Sequence, residues 1–468
     1  MLGENLPLTA VSAVLALIYL LQPSPAASQT VAPPPNEVRA LWVVRTTLTS
    51  PERIRTMVNA AADNGFNTII VQVRGRGDAY YRSHREPRAN ELKDQPADFD
   101  PLAVTLTEAK RRGLKVHAWV NTSLLANLDA LPTNPEHIYN KHPEWLAVPH
   151  PIAAELYNIS PKDPRYRARI VEWSKANTAE LEGVYTGPAN AKVREHIYQI
   201  WMDILKNYDV DGIHFDYIRL ASPDFDYSRT SLDNFRKWLD QRGAGAVSRS
   251  SRSTVPGESR GTRQPSLFAL SSLPGAAGLP PSLFALSPMP GQPFALRPLP
   301  EGSALALAEA YPERFADFQR EQITTLVQRI YREVKRRKPN VTVSAAVFAN
   351  DENAYTRRFQ NWRRWLQMGI LDVVCPMAYT TDTEIFKTQI KTATQLAHAN
   401  NKQIWSGMGA YRLPIESTVE KINAARSLKS DGIILFSYDF TIRPSALNPN
   451  ADYLERVRHN AFERPGPE

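Results

Sequence analysis

The sequence predicts an α/β chain closed into a (β/α)8 barrel, and three observations carry that prediction. Eight short runs rich in β-branched residues recur from residue 38 onward, amphipathic helical stretches separate them, and the first turn, "VRTTLTSPE", contains no glycine. Strands alternating with helices mark parallel β/α units. Eight consecutive units favour a closed barrel over an open doubly wound sheet. Without a glycine-rich phosphate loop after the first strand a dinucleotide fold is disfavoured, and no cofactor is expected.

The predicted strands are 38–45, 67–74, 115–121, 211–217, 341–348, 372–379, 403–410 and 431–439. The stretch "SPERIRTMVNAAADNG" reads as the first helix, with Ser50 as cap, Pro51 at the first helical position and Gly65 as stop. Residues 122–190 follow the third strand and carry Tyr139, Trp145, Leu146, Tyr157, Trp173 and Tyr185, enough apolar mass to be ordered. A loop leaving a barrel strand at its C-terminal end is placed to wall a cleft. Residues 241–305, after the fourth strand, are dominated by Pro, Ser and Gly, and "PSLFALS" occurs at 265–271 and again at 281–287. This segment reads as a disordered low-complexity insertion within a barrel spanning 38–462. Its repeat reads as drift in a linker, with a docking motif of an envelope scaffold as the alternative. The helix beyond it, "PERFADFQREQITTLVQRIYREVKRRKPN", puts Phe315, Phe318, Ile323, Leu326, Val327, Ile330 and Val334 on one face. Its basic end suits the helix dipole.

At the N-terminus, residues 8–21 are an apolar run followed by "QPSPAAS". The run is short for a membrane span, and the small residues Ala26 and Ala27 suit leader cleavage, so 1–27 reads as a signal peptide or an N-terminal anchor. An uncleaved segment is the single route to membrane association that this reading offers. Residues 28–37 form a proline-rich spacer, and the expected location is the periplasm or cell envelope. The formal charge is +8, and half of that excess comes from Arg242, Arg249, Arg252, Arg260, Arg263 and Arg297 set against Glu258 and Glu301 in the insertion. No RNA-binding signature or basic helix accompanies it, so no nucleic-acid partner is expected. Cys375 is the one cysteine, which excludes disulfides within the chain and cysteine zinc sites.

The segment "DVDGIHFDYIRL" (209–220) places costly polar groups in what reads as a buried strand. Alternation puts Gly212, His214 and Asp216 on the inward side, with Asp216 nearer the rim, while Asp211 is placed to bond backbone groups at the bottom. A carboxylate at a barrel strand end beside Tyr217 and Arg219 is a functional candidate. His214 is either a satisfied core histidine or a group that orients substrate oxygen. Other strand ends contribute Arg39 and Trp42; Gln72, Arg74, Asp78 and Tyr80; His117, Trp119 and Asn121; Tyr379, Asp382 and Glu384; Trp405 and Tyr411; Tyr438 and Asp439. Aromatic faces stack on sugar rings, and paired carboxylates cleave glycosidic bonds. A metal set of His117, His214 and Asp216 is the rival, but the histidines lack metal-ligand spacing, and no metal is expected.

The motifs "EVRALWVV", "NTIIVQVRGRGDAYYRS", "FDPLAVTLTEAKRRGLKVHAWVN", "DVDGIHFDY", "VKRRKPNVTVSAAVF" and "LDVVCPMAY" resemble, in order, the glycosyl-hydrolase-like 10 family of bacterial envelope proteins. That resemblance implies a TIM barrel that cleaves cell-wall glycan strands. It also implies that Arg39, Trp42, Gln72, Arg74, Asp78, His117, Trp119, Asn121, His214, Asp216 and Tyr379 line the groove. The family commonly carries a second acid where this chain has Tyr217. "DGIHFDYI" and "MAYTTD" are more weakly similar to family-18 chitinases, but Ile218 stands where their proton-donating glutamate would be. The expectation is therefore an exported glycoside hydrolase of an envelope polysaccharide, with Asp216 as principal carboxylate and a partner among Asp382, Glu384, Asp439 and Asp351. The remaining alternative is a glycan-binding barrel without catalysis.

Overall fold

The computed structural model describes residues 31–178, 181–250 and 303–463. Ten strands are present among them: β1 (Val38–Val43), β2 (Thr68–Arg74), β3 (Lys115–Asn121), β4 (Leu124–Ala126), β5 (Val184–Tyr185), β6 (Gly212–Asp216), β7 (Thr342–Phe348), β8 (Val373–Met377), β9 (Gln403–Gly409) and β10 (Gly432–Phe436). Eight of these close a barrel in the order β1-β10-β9-β8-β7-β6-β3-β2, and β4 and β5 pair apart from it. All barrel pairings are parallel. Each predicted strand is there, with ends trimmed where the chain turns into its loop. The largest trim is at 431–439, where the chain turns at Ser437 into a helical turn (Tyr438–Thr441) that takes Tyr438 and Asp439 out of the sheet.

Local signals act as their chemistry requires. Helix α1 (Pro51–Asp63) starts on the Ser50 side chain, which accepts from the Arg53 N–H, and ends before Gly65 at φ +75°. Helix α2 (Pro312–Arg337) buries all seven residues expected of its apolar face, together with Gln319. The Gln319 Nε2 is satisfied there, donating to the Asp226 carbonyl and to Ser231 Oγ, while its Oε1 has no partner among the described residues.

Inside the barrel the side chains stack in layers, with Ala40, Trp42, Ile70, Trp119, Cys375, Trp405 and Ile434 forming the inner cluster. His117 sits low in this interior, its ring 5.4 Å from that of Trp405. Gly212 beside it must lack a side chain: a Cβ there would lie 2.4 Å from His117 Nδ1. At the bottom Asp211 accepts the Val116 N–H, as its position at the strand start predicts.

The described parts of the flanking segments correct their expected boundaries. Residues 31–37 do not stand off as a spacer: Arg426 ion-pairs with Glu37 and donates to the Val31 carbonyl, and Asn423 accepts the Val31 N–H. The first ten residues assigned to the insertion continue the helix Arg229–Ser250, and Ser303 caps the next one, Ala304–Ala310. Leu232, Phe235 and Trp238 of the first helix pack with Ala304, Leu307, Phe315 and Phe318, so 303–310 belong to the fold. The leader (1–27) and the body of the insertion (251–302) lie outside the described residues. The apolar contacts at this junction are made by the flanking helices. Replacing 251–302 by a short Gly/Ser linker is therefore expected to leave the melting temperature within a few degrees of the parent, whereas a deletion extending to residue 310 lowers it well beyond that.

Candidate active site

The C-terminal ends of the strands open on a cleft of about 770 Å³. Its floor is aromatic. Trp42 meets Tyr379 and Phe436 edge-on at 6.3 and 6.0 Å between ring centres, and Trp119 meets Phe436 at 6.4 Å.

Trp42 is held from below by a chain that also fixes the state of His214. The indole Nε1 is a donor only, so His214 Nε2, 3.1 Å away, must accept, and the ring proton sits on Nδ1, 2.9 Å from Ser344 Oγ. Ser344 in turn donates to the Ile213 carbonyl. Both ring nitrogens are thus used, and burial depresses the pKa of His214 well below the usual histidine range. His214 is a neutral core histidine that positions Trp42, and it does not reach the cleft. Burial likewise pulls His117 down to about 3. With His214 committed and His117 a layer below, the set His117, His214 and Asp216 does not converge, and among the described residues no cluster has metal-ligand geometry.

Asp216 ends β6 opposite Asn121 on β3 and lines the cleft. Its Oδ2 accepts from Trp119 Nε1 at 3.1 Å, and that indole is shared with Asn121 Oδ1 at 2.8 Å. Its Oδ1 accepts the N–H of Tyr217, a residue in the left-handed region at φ +48°. A non-glycine residue held there at a strand end is the kind of local strain found at functional sites. Burial pushes the pKa of Asp216 up to about 6, against the opposing pull of the Tyr217 N–H, Arg219 and Trp119.

The other carboxylate on the cleft wall is Glu182, from the loop between β3 and β6. It pairs with Arg219 Nη2 at 3.0 Å and accepts a hydrogen bond from Tyr185 Oη. Burial works to raise its pKa, but Arg219 and Tyr185 outweigh it and hold the carboxyl below the ordinary range. Arg219 itself stacks over Tyr217 at 4.5 Å and over Phe348 at 5.2 Å. Two acids with pKa values driven apart in one cleft is the electrostatic pattern of an acid and its ionised counterpart.

Of the residues predicted for the site, the cleft gathers Trp42, Gln72, Trp119, Asn121, Asp216 and Tyr379, with Tyr411 at its edge. The others lie elsewhere for identifiable reasons. Arg39 points outward, its guanidinium over Phe462. Arg74 is buried in a two-pronged pair with Glu86, which His196 also contacts. Asp78 is spent on the Arg76 N–H. Trp405 fills the lower barrel, and Tyr438 is buried in the helical turn after β10.

The four proposed partner acids are all engaged outside the cleft. Asp382 caps the helix Thr383–His398, and Glu384 is exposed and pairs with Lys387. Asp439 accepts from the Val44 N–H and the Thr46 and Thr47 hydroxyls. Asp351 pairs with Arg363.

Comparison with known proteins agrees with this architecture. Over 92% of this chain and 99% of the other, the fold superposes on the PgaB (BpsB) glycoside hydrolase domain from Bordetella bronchiseptica with a TM-score of 0.55 at 13% identity. It superposes on the β-amylase catalytic domain from Paenibacillus polymyxa with a TM-score of 0.51 at 12% identity, over 93% and 100% of the two chains. In sequence it is 23% identical over 231 residues to glycosyl hydrolase YngK of Bacillus subtilis, covering 43% of this chain and 39% of that protein. It is 26% identical over 174 residues to glycosyl hydrolase DigH of Escherichia coli, covering 34% of this chain and 32% of that one. The chain thus matches well under half the length of these relatives. The model of the glycosyl hydrolase-like 10 family, by contrast, matches residues 37–424, from the start of the barrel through β9 and into the helix after it, and the chain belongs to that family.

Proposed function

We propose that the protein is an exported glycoside hydrolase that cleaves an envelope polysaccharide, with peptidoglycan glycan strands as the substrate. The observation that carries this reading is the pairing of Asp216, buried among aromatic rings with a pKa near 6, with Glu182, held ionised by Arg219. In its protonated form Asp216 is suited to donate a proton to the leaving glycosidic oxygen, and Glu182 to serve the anionic role, as base or nucleophile. Tyr379, partly exposed on the cleft, offers a stacking face, and buried Trp42 supports it from below. The Tyr379 hydroxyl makes no hydrogen bond to the described residues and is available to a sugar hydroxyl.

The test is incubation of the purified protein with glycan-strand oligomers, reading new reducing ends. Cleavage supports the enzyme, and tight binding without new ends supports a glycan-binding barrel instead. The export part of the proposal rests on the N-terminal sequence, and no helix among the described residues is long and apolar enough to cross a membrane. Protein isolated from outside the cytoplasmic membrane is expected to begin near Ala27 or Ser28, and intact Met1 on soluble cytoplasmic protein would refute export.

A further inference from the structure

Five arginines line the cleft, Arg45, Arg76, Arg219, Arg358 and Arg412, against the two carboxylates Asp216 and Glu182. Three of the five are committed to the protein. Arg219 pairs with Glu182, Arg358 donates to the Ala221 carbonyl, and Arg412 donates to the Tyr379 carbonyl at 2.9 Å. Arg45 and Arg76 are different. Each has a buried Nε–H with no partner, as Arg358 also has, but among the described residues neither guanidinium meets a carboxylate within ion-pairing distance or donates to a backbone carbonyl. The side chain of Arg76 makes no hydrogen bond to the described residues, and Asp78 contacts only its backbone N–H.

The two guanidiniums are also neighbours. Burial and the adjacent charge of Arg45 both depress the pKa of Arg76. Bringing like charges together in a partly desolvated wall is unfavourable unless an anion completes the site. The fold nevertheless holds them there. Gly75 lets Arg45 lie across the backbone, since a Cβ at Gly75 would fall 2.4 Å from Arg45 Cδ. Gln72 Oε1 then accepts from Arg45 Nη1 at 3.0 Å. Gln72 Nε2 continues to Asn121 Oδ1 at 3.2 Å, and Asn121 shares the Trp119 indole with Asp216. One run of hydrogen bonds therefore connects Arg45 to the proposed acid, and Arg76 lines the same cleft as both.

We propose that Arg45 and Arg76 form a carboxylate-recognising subsite, so that the cleft selects glycans whose sugar next to Asp216 carries a carboxylate. The assignment rests on the glycoside hydrolase reading for its register relative to the bond cleaved. Arginine forks match carboxylates in two-pronged geometry, and a charge-assisted pair in a partly dry wall discriminates strongly against the neutral analogue. A carboxylate on the pyranose itself, as in a uronic acid, and one on an ether side chain, as in peptide-free glycan strands, present the same chemistry.

The experiment is equilibrium binding at pH 7 to the full-length Asp216→Asn protein, so that its outcome does not depend on cleavage. Two probes are used, galacturonic acid oligomers and peptide-free glycan strands, each as the acid and as its carboxyl-reduced alcohol. At least one acid is expected to bind on the order of tenfold or more tightly than its alcohol, with the ratio shrinking as salt is added. Which acid shows the larger ratio identifies the source of the carboxylate. Adding Arg76→Gln, with Arg45→Gln as a second variant, is expected to bring the ratio towards unity, and Arg76→Lys to restore part of it. Since the Arg76 side chain touches no hydrogen-bond partner among the described residues, its variant reads out the subsite even if Arg45→Gln folds poorly. Equal binding of acid and alcohol overturns the proposal, and so does a ratio that survives both substitutions. A protein that shows the selectivity but whose parent cleaves nothing retains the subsite and loses the hydrolase reading.

Discussion

Asp216→Asn is expected to lower kcat/KM on envelope glycan by roughly 10²- to 10⁴-fold, the usual contribution of a positioned acid or base, with little change in melting temperature at pH 7. Asparagine keeps the size of aspartate, but with one amide oxygen it can accept from Trp119 Nε1 or from the Tyr217 N–H and not from both. What it removes is the transferable proton. The sign of the stability effect follows from the pKa. Burial raises the folded-state pKa to about 6, above the ordinary aspartate value of about 3.9, so ionisation of Asp216 disfavours the folded state. The stability associated with the protonated form is present below about pH 4 and is lost as pH rises through about 6. At pH 7 the neutral asparagine escapes that loss, which offsets its lost hydrogen bond, so the variant should melt near the parent there and below it near pH 4. The parent's kcat/KM should fall as pH rises through about 6, and the variant's residual activity should lack that limb. A lower melting temperature with near-normal turnover per folded molecule would show that Asp216 anchors structure instead.

The fold was legible because it is written in short-range pattern. Strand periodicity, the Ser50–Pro51 start of α1 and the apolar face of α2 depend on nearest neighbours and hydrophobic spacing, which a single sequence displays. The inward side of β6 followed from alternation alone, which is why Asp216 was found. Alternation failed two strands away. The pairing of β2 with β3 shifts register between Gln72 and Arg74, so Arg74 turns under towards Glu86 and Arg76 takes the cleft position. Nothing in "VRGRGD" distinguishes the two arginines, because the bulge that separates them is a property of the paired strands. The partner acid was missed for a related reason. Asp382, Asp439 and Asp351 do follow barrel strands, but short acidic side chains at such points are also what helix starts and turns recruit, and that is where the structure uses them. Glu182 sits in a loop with no motif around it, and it reaches the cleft because β4 and β5 pair across nearly sixty residues. The length of the loop suggested a wall, but the sequence did not show which of its residues would face inward.

Glu182 therefore supplies the second test of large expected effect. Glu182→Ala should lower kcat/KM by roughly 10²-fold or more if its carboxylate acts on the substrate. The same substitutions at the four acids engaged elsewhere, Asp382, Glu384, Asp439 and Asp351, should change activity per folded molecule little. Asp439 is the informative control, since it holds the Val44–Thr47 turn at the cleft's edge, and its loss should appear as lowered melting temperature. Glu182 also neutralises Arg219, which is itself almost fully buried, so a fall in activity alone would not separate a chemical role from a positioning one. Two comparisons do. Glu182→Gln keeps an acceptor for Arg219 and an NH2 that can donate to Tyr185 Oη while removing the negative charge; if position were the whole role it would recover most of the activity, whereas a base or nucleophile stays lost. Added formate or azide can enter the space opened by Glu182→Ala and replace the missing anion. Rescue of turnover by either, absent in Asp216→Asn, would place the anionic function at Glu182 and the proton at Asp216, while a glutamine variant with near-parental turnover would remove Glu182 from the chemistry.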